Sequence, residues 1–302
     1  MWILIFLVSF LCADVEDHLK KAPNKSAAYS MPGIDFIYLI NLDQRPEKLK
    51  ESLDQLSYFQ IHPYRFSAVN GWELSLEELN DVGLAYSVEM ERGILGTSYL
   101  EGFEPKDALI QNYGQNYFCH CMSRGAVGCA LSHISIFQDA YDSGYETIWI
   151  IEDDIDIIRD PRMLPDLIAK LDALVGRDNW DVLFTDRDIR DANGNYSTTY
   201  WAGRRPDFIG FSQNDFAKKK LISPDFYEIG ARSGSTSMIL RRSGIQKLLQ
   251  YFKTHQIFFP YDMEYIFPRG IKLYTVVEDI VSNLPKAPSD NGCPNYLTNK
   301  DL

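Results

Sequence analysis

The sequence is short of positive charge. Against 42 Asp and Glu it sets 30 Lys and Arg, a formal net charge of -12, and its only basic run is Lys218-Lys219-Lys220. Nucleic-acid backbones are bound by clustered cations, so this balance excludes nucleic acid as a partner and leaves the run as a solvated loop. No apolar stretch reaches the roughly 20 residues of a membrane helix. The longest, WILIFLVSFL over residues 2–11, has the length of a signal-peptide core instead. Five cysteines (Cys12, Cys119, Cys121, Cys129, Cys293) occur without a C-x-x-C pair, which leaves Cys119, His120, Cys121, Cys129 and His133 outside the common zinc frameworks. Cys129 and His133 do share a helix face at i, i+4, and read as a buried thiol and a satisfied or substrate-facing imidazole. A G-x-S-x-G elbow, a P-loop and a G-x-G-x-x-G turn are all missing, so a diphosphate, if one is bound, needs something other than a glycine cradle.

What is present suits a folded chain. With 302 residues, 45% hydrophobic and 13% aromatic, it can bury the core of one large domain or two small ones. Residues 1–13 are expected to be a signal peptide cut after Ala13, with a short uncleaved anchor, associated with a membrane surface, as the alternative. A cut signal implies the secretory pathway or cell envelope, lumenal in a eukaryote; an uncut bacterial one implies the cytoplasmic face of the membrane. Residues 14–33 read as a linker, 34–285 as the folded domain and 286–302 as a C-terminal tail.

Within the domain, strands alternate with helices. Residues 36–40 are continuously apolar, the pattern of a strand buried on both faces. Pro46 suits a first helical turn, and Leu49, Leu53 and Leu56 follow at helical spacing. A second strand over 64–69 ends at an Asn70-Gly71 turn, and Ser75 with Glu78 offers a capping box. Residues 89–121 show no period and read as a long irregular insertion. A helix over 126–141, a strand over 147–151, a helix over 164–174 and a strand over 181–185 follow. A strand over 237–240, a helix from Ser243 to Phe252 and a strand over 272–277 complete the series. The expected fold is α/β, a mostly parallel central sheet with helices on both faces, as in Rossmann-like nucleotide-binding domains.

The strand over 147–151 runs into Glu152, Asp153, Asp154 and Asp156. Such sheets bind ligands beyond the carboxyl ends of their strands. Four close carboxylates repel one another, and a hard divalent cation such as Mn²⁺ or Mg²⁺, clamping a diphosphate, would neutralise them. The alternative is a solvated acidic loop. Asp186-Arg187-Asp188 is a second acid pair beyond a strand, with Arg187 and Arg190 available to neutralise it.

Five segments, FIYLINLDQRPEKLKESL, YRFSAVNGWEL, GAVGCALSHISIF, IWIIEDDIDI and GSTSMILRRSGIQKLL, resemble in order those of glycosyltransferase family 25. That family contains bacterial lipooligosaccharide (LPS biosynthesis) galactosyltransferases and animal procollagen galactosyltransferases. The resemblance implies a GT-A type fold, a UDP-sugar donor, inverting transfer of galactose to a glycan, lipooligosaccharide or glycoprotein acceptor, and Mn²⁺ dependence. It implies that Asn41, Leu42, Arg45, Asn70 and Gly71 lie near the nucleotide, with Ser132 and His133 lining the same cleft. It implies that Glu152, Asp153 and Asp154 hold the metal, and it nominates Asp262, in FPYDMEYIF, as the base. Ala126 departs from the family's frequent Glu at that position. A catalytically inactive sugar- or nucleotide-binding protein on the same fold is the competing expectation.

Overall fold

The computed structural model describes residues 15–99, 102–197, 204–208 and 213–297; the signal expected over 1–13 lies outside the described residues. Residues 15–33 run across the surface of the domain. Val15 and Ala22 are buried, Lys20 Nζ donates to Ala68 O, and Lys25 pairs with Asp139.

The chain folds as β1 (Phe36–Asn41), α1 (Pro46–Tyr58), β2 (Tyr64–Ser67) and α2 (Leu76–Val82). The capping box forms as read: Ser75 Oγ accepts from Glu78 N, and the Glu78 carboxylate accepts from Ser75 N. Next come β3 (Leu84–Ala85), β4 (Leu95–Ser98), β5 (Lys106–Leu109) and β6 (Asn116–Cys119), an antiparallel sheet in the order β3-β6-β4-β5. The irregular insertion expected over 89–121 is thereby corrected. Strands of two to four residues are too short for alternation to register in sequence. After α3 (Arg124–Asp142) follow β7 (Thr147–Glu152), β8 (Ile155–Ile157), α4 (Leu164–Val175), β9 (Val182–Phe184), α5 (Gln213–Phe216), β10 (Lys219–Leu221) and β11 (Phe226–Ile229). The chain continues through β12 (Ser237–Arg241), α6 (Arg242–His255), α7 (Tyr261–Glu264), β13 (Leu273–Val276) and β14 (Val281–Asn283).

The central sheet has eight strands in the order β10-β11-β13-β9-β12-β7-β1-β2. It is mixed: β12 and β11 run against the other six, which share one direction. Both faces are covered, which is why the strands read as continuous apolar runs. In β1, Phe36, Tyr38 and Ile40 join the core with Ile134 and Phe137 of α3 and Leu248 and Phe252 of α6. Ile37 and Leu39 join the other core with Leu56 of α1 and Leu167 and Leu171 of α4. Burying each such side chain contributes roughly 1.5–3 kcal/mol, so the two layers fix the sheet from both sides. Among the described residues, no helix is long and apolar enough to cross a membrane.

A buried ionic hub ties the segment 204–208 to the ends of α6 and α7. Arg205 is fully buried, its Nη1 2.5 Å from Asp207 Oδ1, its Nε 3.3 Å from Glu264 Oε2, and its Nη2 donates to His255 O and Gln256 O at 2.7 Å each. Burial raises the Asp207 carboxyl, but the His255 ring at 2.8 Å and the Arg205 guanidinium outweigh it and hold the group below the usual range. A carboxyl whose folded value is depressed stabilises the protein above its unfolded value, and that stability is lost as pH falls through the folded value. Asp207→Asn is therefore expected to cost about 2 kcal/mol in urea unfolding near neutral pH. The difference from the unsubstituted protein should shrink towards pH of about 3.

Candidate functional site

Strand register assembles the site. Ile40 in β1 stands opposite Glu152 in β7, so the chain leaves the sheet side by side after Asn41 and after Glu152. The two exits floor an open cleft whose empty space, open solvent included, is about 650 Å³. Residues 68–72 after β2 form one wall and Gly125, Cys129, Ser132 and His133 of α3 another, with Ser289, Asp290 and Asn291 from the C-terminal segment closing the rim.

The three acids are not equivalent. Glu152 Oε1 accepts from Ser235 Oγ at 2.6 Å and faces His133 Nε2 at 3.5 Å. Asp153 Oδ2 accepts from Asn41 Nδ2 at 2.7 Å, and its Oδ1 lies 3.8 Å from Lys48 Nζ. Asp154 Oδ1 is buried and has no hydrogen-bond partner among the described residues. Burial pushes all three carboxyls up. Glu152 rises to about 8, with Asp154 adding to the effect, and Asp153 to about 6 against the pull of Lys48; Asp154 moves in the same direction. A bare carboxylate oxygen on a cleft floor that also carries Asp153 is the kind of donor that hard cations select.

Most other residues named from sequence meet here, and several hold one another. Asn41 Nδ2 also donates to Arg45 O at 2.8 Å, and its Oδ1 accepts from Arg65 Nε at 3.0 Å. Asn70 is spent between Tyr296 Oη and Trp72 N. Ser132 Oγ donates to Gly128 O and accepts from Val69 N. Leu42 and Gly71 line the cleft, but Arg45 lies behind its wall, paired with Asp290 at 2.8 Å and donating to Pro288 O. Asp262 is not among the lining residues. Its carboxylate accepts from Gly234 N at 2.6 Å, burial raises it, and its charge is felt at Glu152. The rival acids are neutralised: Asp186 pairs with Arg232 at 2.7 Å, Asp188 with Lys219 at 3.3 Å, and Asp156 with Arg190 at 2.8 Å.

Sequence reading missed Lys48, Trp72, Ser235, Asp290 and Asn291. For Lys48 a signal existed, since Lys48 and Ser52 continue the buried Leu56 stripe at i, i+4, i+8, and Ser52 Oγ donates to Asp153 O at 2.9 Å. Asp290 pairs with Arg45 and reaches Lys48 at 3.9 Å across the fold, a contact no local pattern announces.

Gly71 and Gly128 owe their place to packing. A Cβ on Gly128 would stand 2.4 Å from Gly71 N and 2.5 Å from Val69 O. Gly128→Ala is expected to cost about 1–3 kcal/mol in chemical denaturation, because backbone rather than a movable side chain is in the way.

The geometry defines a class: an α/β protein with an acidic ligand cleft beyond the carboxyl ends of neighbouring parallel strands. The sequence matches glycosyltransferase family 25 (LPS biosynthesis protein) over residues 34–264, and the chain belongs to that family. A glycosyltransferase 25 family member of Aedes aegypti is 25% identical over 58% of this chain and 24% of its own length. The mouse inactive glycosyltransferase 25 family member 3 is 25% identical over 56% of this chain and 24% of its own, and mouse procollagen galactosyltransferase 2 is 26% identical over 51% and 21%. The chain spans about a quarter of the length of the curated relatives it matches.

Proposed function

We propose that this chain is an inverting glycosyltransferase of GT-A type, moving galactose from UDP-galactose to a hydroxyl of a glycan, lipooligosaccharide or glycoprotein acceptor with Mn²⁺ or Mg²⁺. The observation that carries the reading is the buried, unpartnered Oδ1 of Asp154 beside Asp153 on the cleft floor. Family membership supplies the reaction class.

A divalent cation bound there would act as a Lewis acid and stabilise the charge that develops on the departing diphosphate. Asp153 and Asp154 would hold it, since Glu152 is engaged by Ser235 and turned to His133. Asn41 fixes the Asp153 carboxylate, and Lys48 adds positive charge on the same wall. Trp72, whose indole N–H donates to Asp290 O at 2.7 Å, offers the cleft an apolar face for a base or sugar. Asp262, which stands outside the residues lining the cleft but whose charge reaches Glu152, is the group we nominate to take the acceptor's proton. The compartment we infer is one that supplies UDP-sugars, the secretory lumen if an N-terminal signal is used.

A second reading, a sugar- or nucleotide-binding protein without turnover, is favoured by the likeness to the mouse relative named inactive. UDP release from UDP-galactose with Mn²⁺ and an acceptor library separates the two. The transferase gives acceptor-dependent UDP release that Asp153→Ala plus Asp154→Ala abolishes. UDP-galactose binding with no release for any acceptor would favour the second reading.

A further inference from the structure

We propose that Cys129, His133 and Glu152 form a second cation site on the inner wall of the cleft, selective for a borderline-soft divalent ion such as Zn²⁺ and separate from the Asp153–Asp154 pair. Cys129 and His133 lie one turn apart on α3, and Glu152 faces them from the end of β7. One ligand atom from each lies within 4.8 Å of the others.

The imidazole carries the argument. His133 Nδ1 lies 3.0 Å from Cys129 O, a carbonyl that can only accept, so the ring proton belongs on Nδ1 and Nε2 presents a lone pair. That Nε2 is buried and has no hydrogen-bond partner among the described residues. It points at Glu152 Oε1, 3.5 Å away, so a lone pair faces a carboxylate oxygen. A cation between them removes the conflict. A backbone carbonyl on one ring nitrogen, leaving the other to bind, is the arrangement by which metal-ligating histidines are oriented. Tyr261 stacks on the ring with centroids 4.0 Å apart and fixes its plane, and Ser235 Oγ fixes the Glu152 carboxylate in the same way.

The donor types decide the ion. Sulfur, nitrogen and one carboxylate oxygen suit Zn²⁺, whereas the neighbouring pair offers oxygen alone and suits Mn²⁺ or Mg²⁺. Tetrahedral zinc places such ligand atoms roughly 3.3–3.8 Å apart. The His133–Glu152 pair already meets that spacing. Cys129 Sγ, 3.7 Å from His133 Nδ1, has to turn towards the Nε2 side of the ring to close the set. Three protein ligands leave a fourth position, for water or an oxygen of a bound molecule.

Co²⁺ titrated into the reduced, chelator-treated protein provides the test, because a thiolate ligand gives cobalt a near-ultraviolet charge-transfer band. A Cys119→Ser plus Cys121→Ser background removes the neighbouring thiols of β6 and the turn after it, 2.8 Å apart. One equivalent of Co²⁺ should raise the band and Zn²⁺ should displace it. Cys129→Ser should abolish the band and His133→Gln should weaken Zn²⁺ binding tenfold or more against a chromophoric chelator, while Asp154→Asn keeps both. Near-UV circular dichroism establishes that each variant is folded. Absence of the band in the Cys129-containing protein, or its survival in Cys129→Ser, would overturn the proposal, whatever the outcome with UDP-sugars.

Discussion

Asp154→Asn is expected to lower Mn²⁺-dependent UDP release from UDP-galactose by roughly 10²–10³-fold, the loss of about 3–4 kcal/mol of charge stabilisation. The protein should meanwhile be no less stable. The Asp154 carboxyl is raised by burial, so its ionised form is disfavoured in the fold. A carboxyl whose folded value exceeds its unfolded one stabilises the protein at low pH and loses that contribution as pH rises through the folded value. The amide does not titrate and keeps the shape. In chelator at pH of about 8 the variant should therefore melt at or above the temperature of the unsubstituted protein, and the gap should close towards pH of about 5. Added Mn²⁺ reverses the order, because an ion that binds only the folded, charged site stabilises the unsubstituted protein and not the variant. A variant that lost activity and stability together, with and without Mn²⁺, would mark Asp154 as a packing residue.

Glu264→Ala should have the largest effect on stability, about 3–5 kcal/mol by urea unfolding, enough to leave part of the protein unfolded at 37 °C. Glu264 and Arg205 are both fully buried. The Glu264 carboxylate accepts from Phe258 N at 3.0 Å, Phe259 N at 2.8 Å, the Tyr251 hydroxyl and Arg205 Nε. Truncation leaves the buried guanidinium with Asp207 as its one remaining carboxylate and leaves two buried backbone N–H groups unpaired. Glu264→Gln keeps the shape and most of the hydrogen bonding and should cost distinctly less. Equal losses for Ala and Gln would mean that charge alone matters at this position.

The legible parts of the sequence were those whose physics is local. The apolar run 36–40, the Ser75–Glu78 box and the helix holding Cys129 and His133 all signal through spacing or propensity, and the acids at 152–154 stand out because charge at the end of a buried strand is costly. The small antiparallel sheet of β3 to β6 was hidden because its strands are too short to show alternation. The reversal of β12 was hidden because direction in a sheet leaves no mark on an apolar run. The rim made by Ser289 to Asn291 was missed for a third reason: Asp290 meets Arg45 and Lys48 only after the whole domain has folded. The Asp186-Arg187-Asp188 pair shows the opposite failure. Its spacing equals that of a metal motif, yet Arg232 already pairs with its first carboxylate at 2.7 Å and Ser282 donates to it.

The measurement closest to the central claim is the anomalous signal of manganese in crystals grown with UDP and Mn²⁺. A peak is expected within about 2.5 Å of a carboxylate oxygen of Asp154, with UDP in the cleft beside it. A peak at Asp186 or Asp188 instead, or UDP in the cleft with no ion near Asp154, would contradict it.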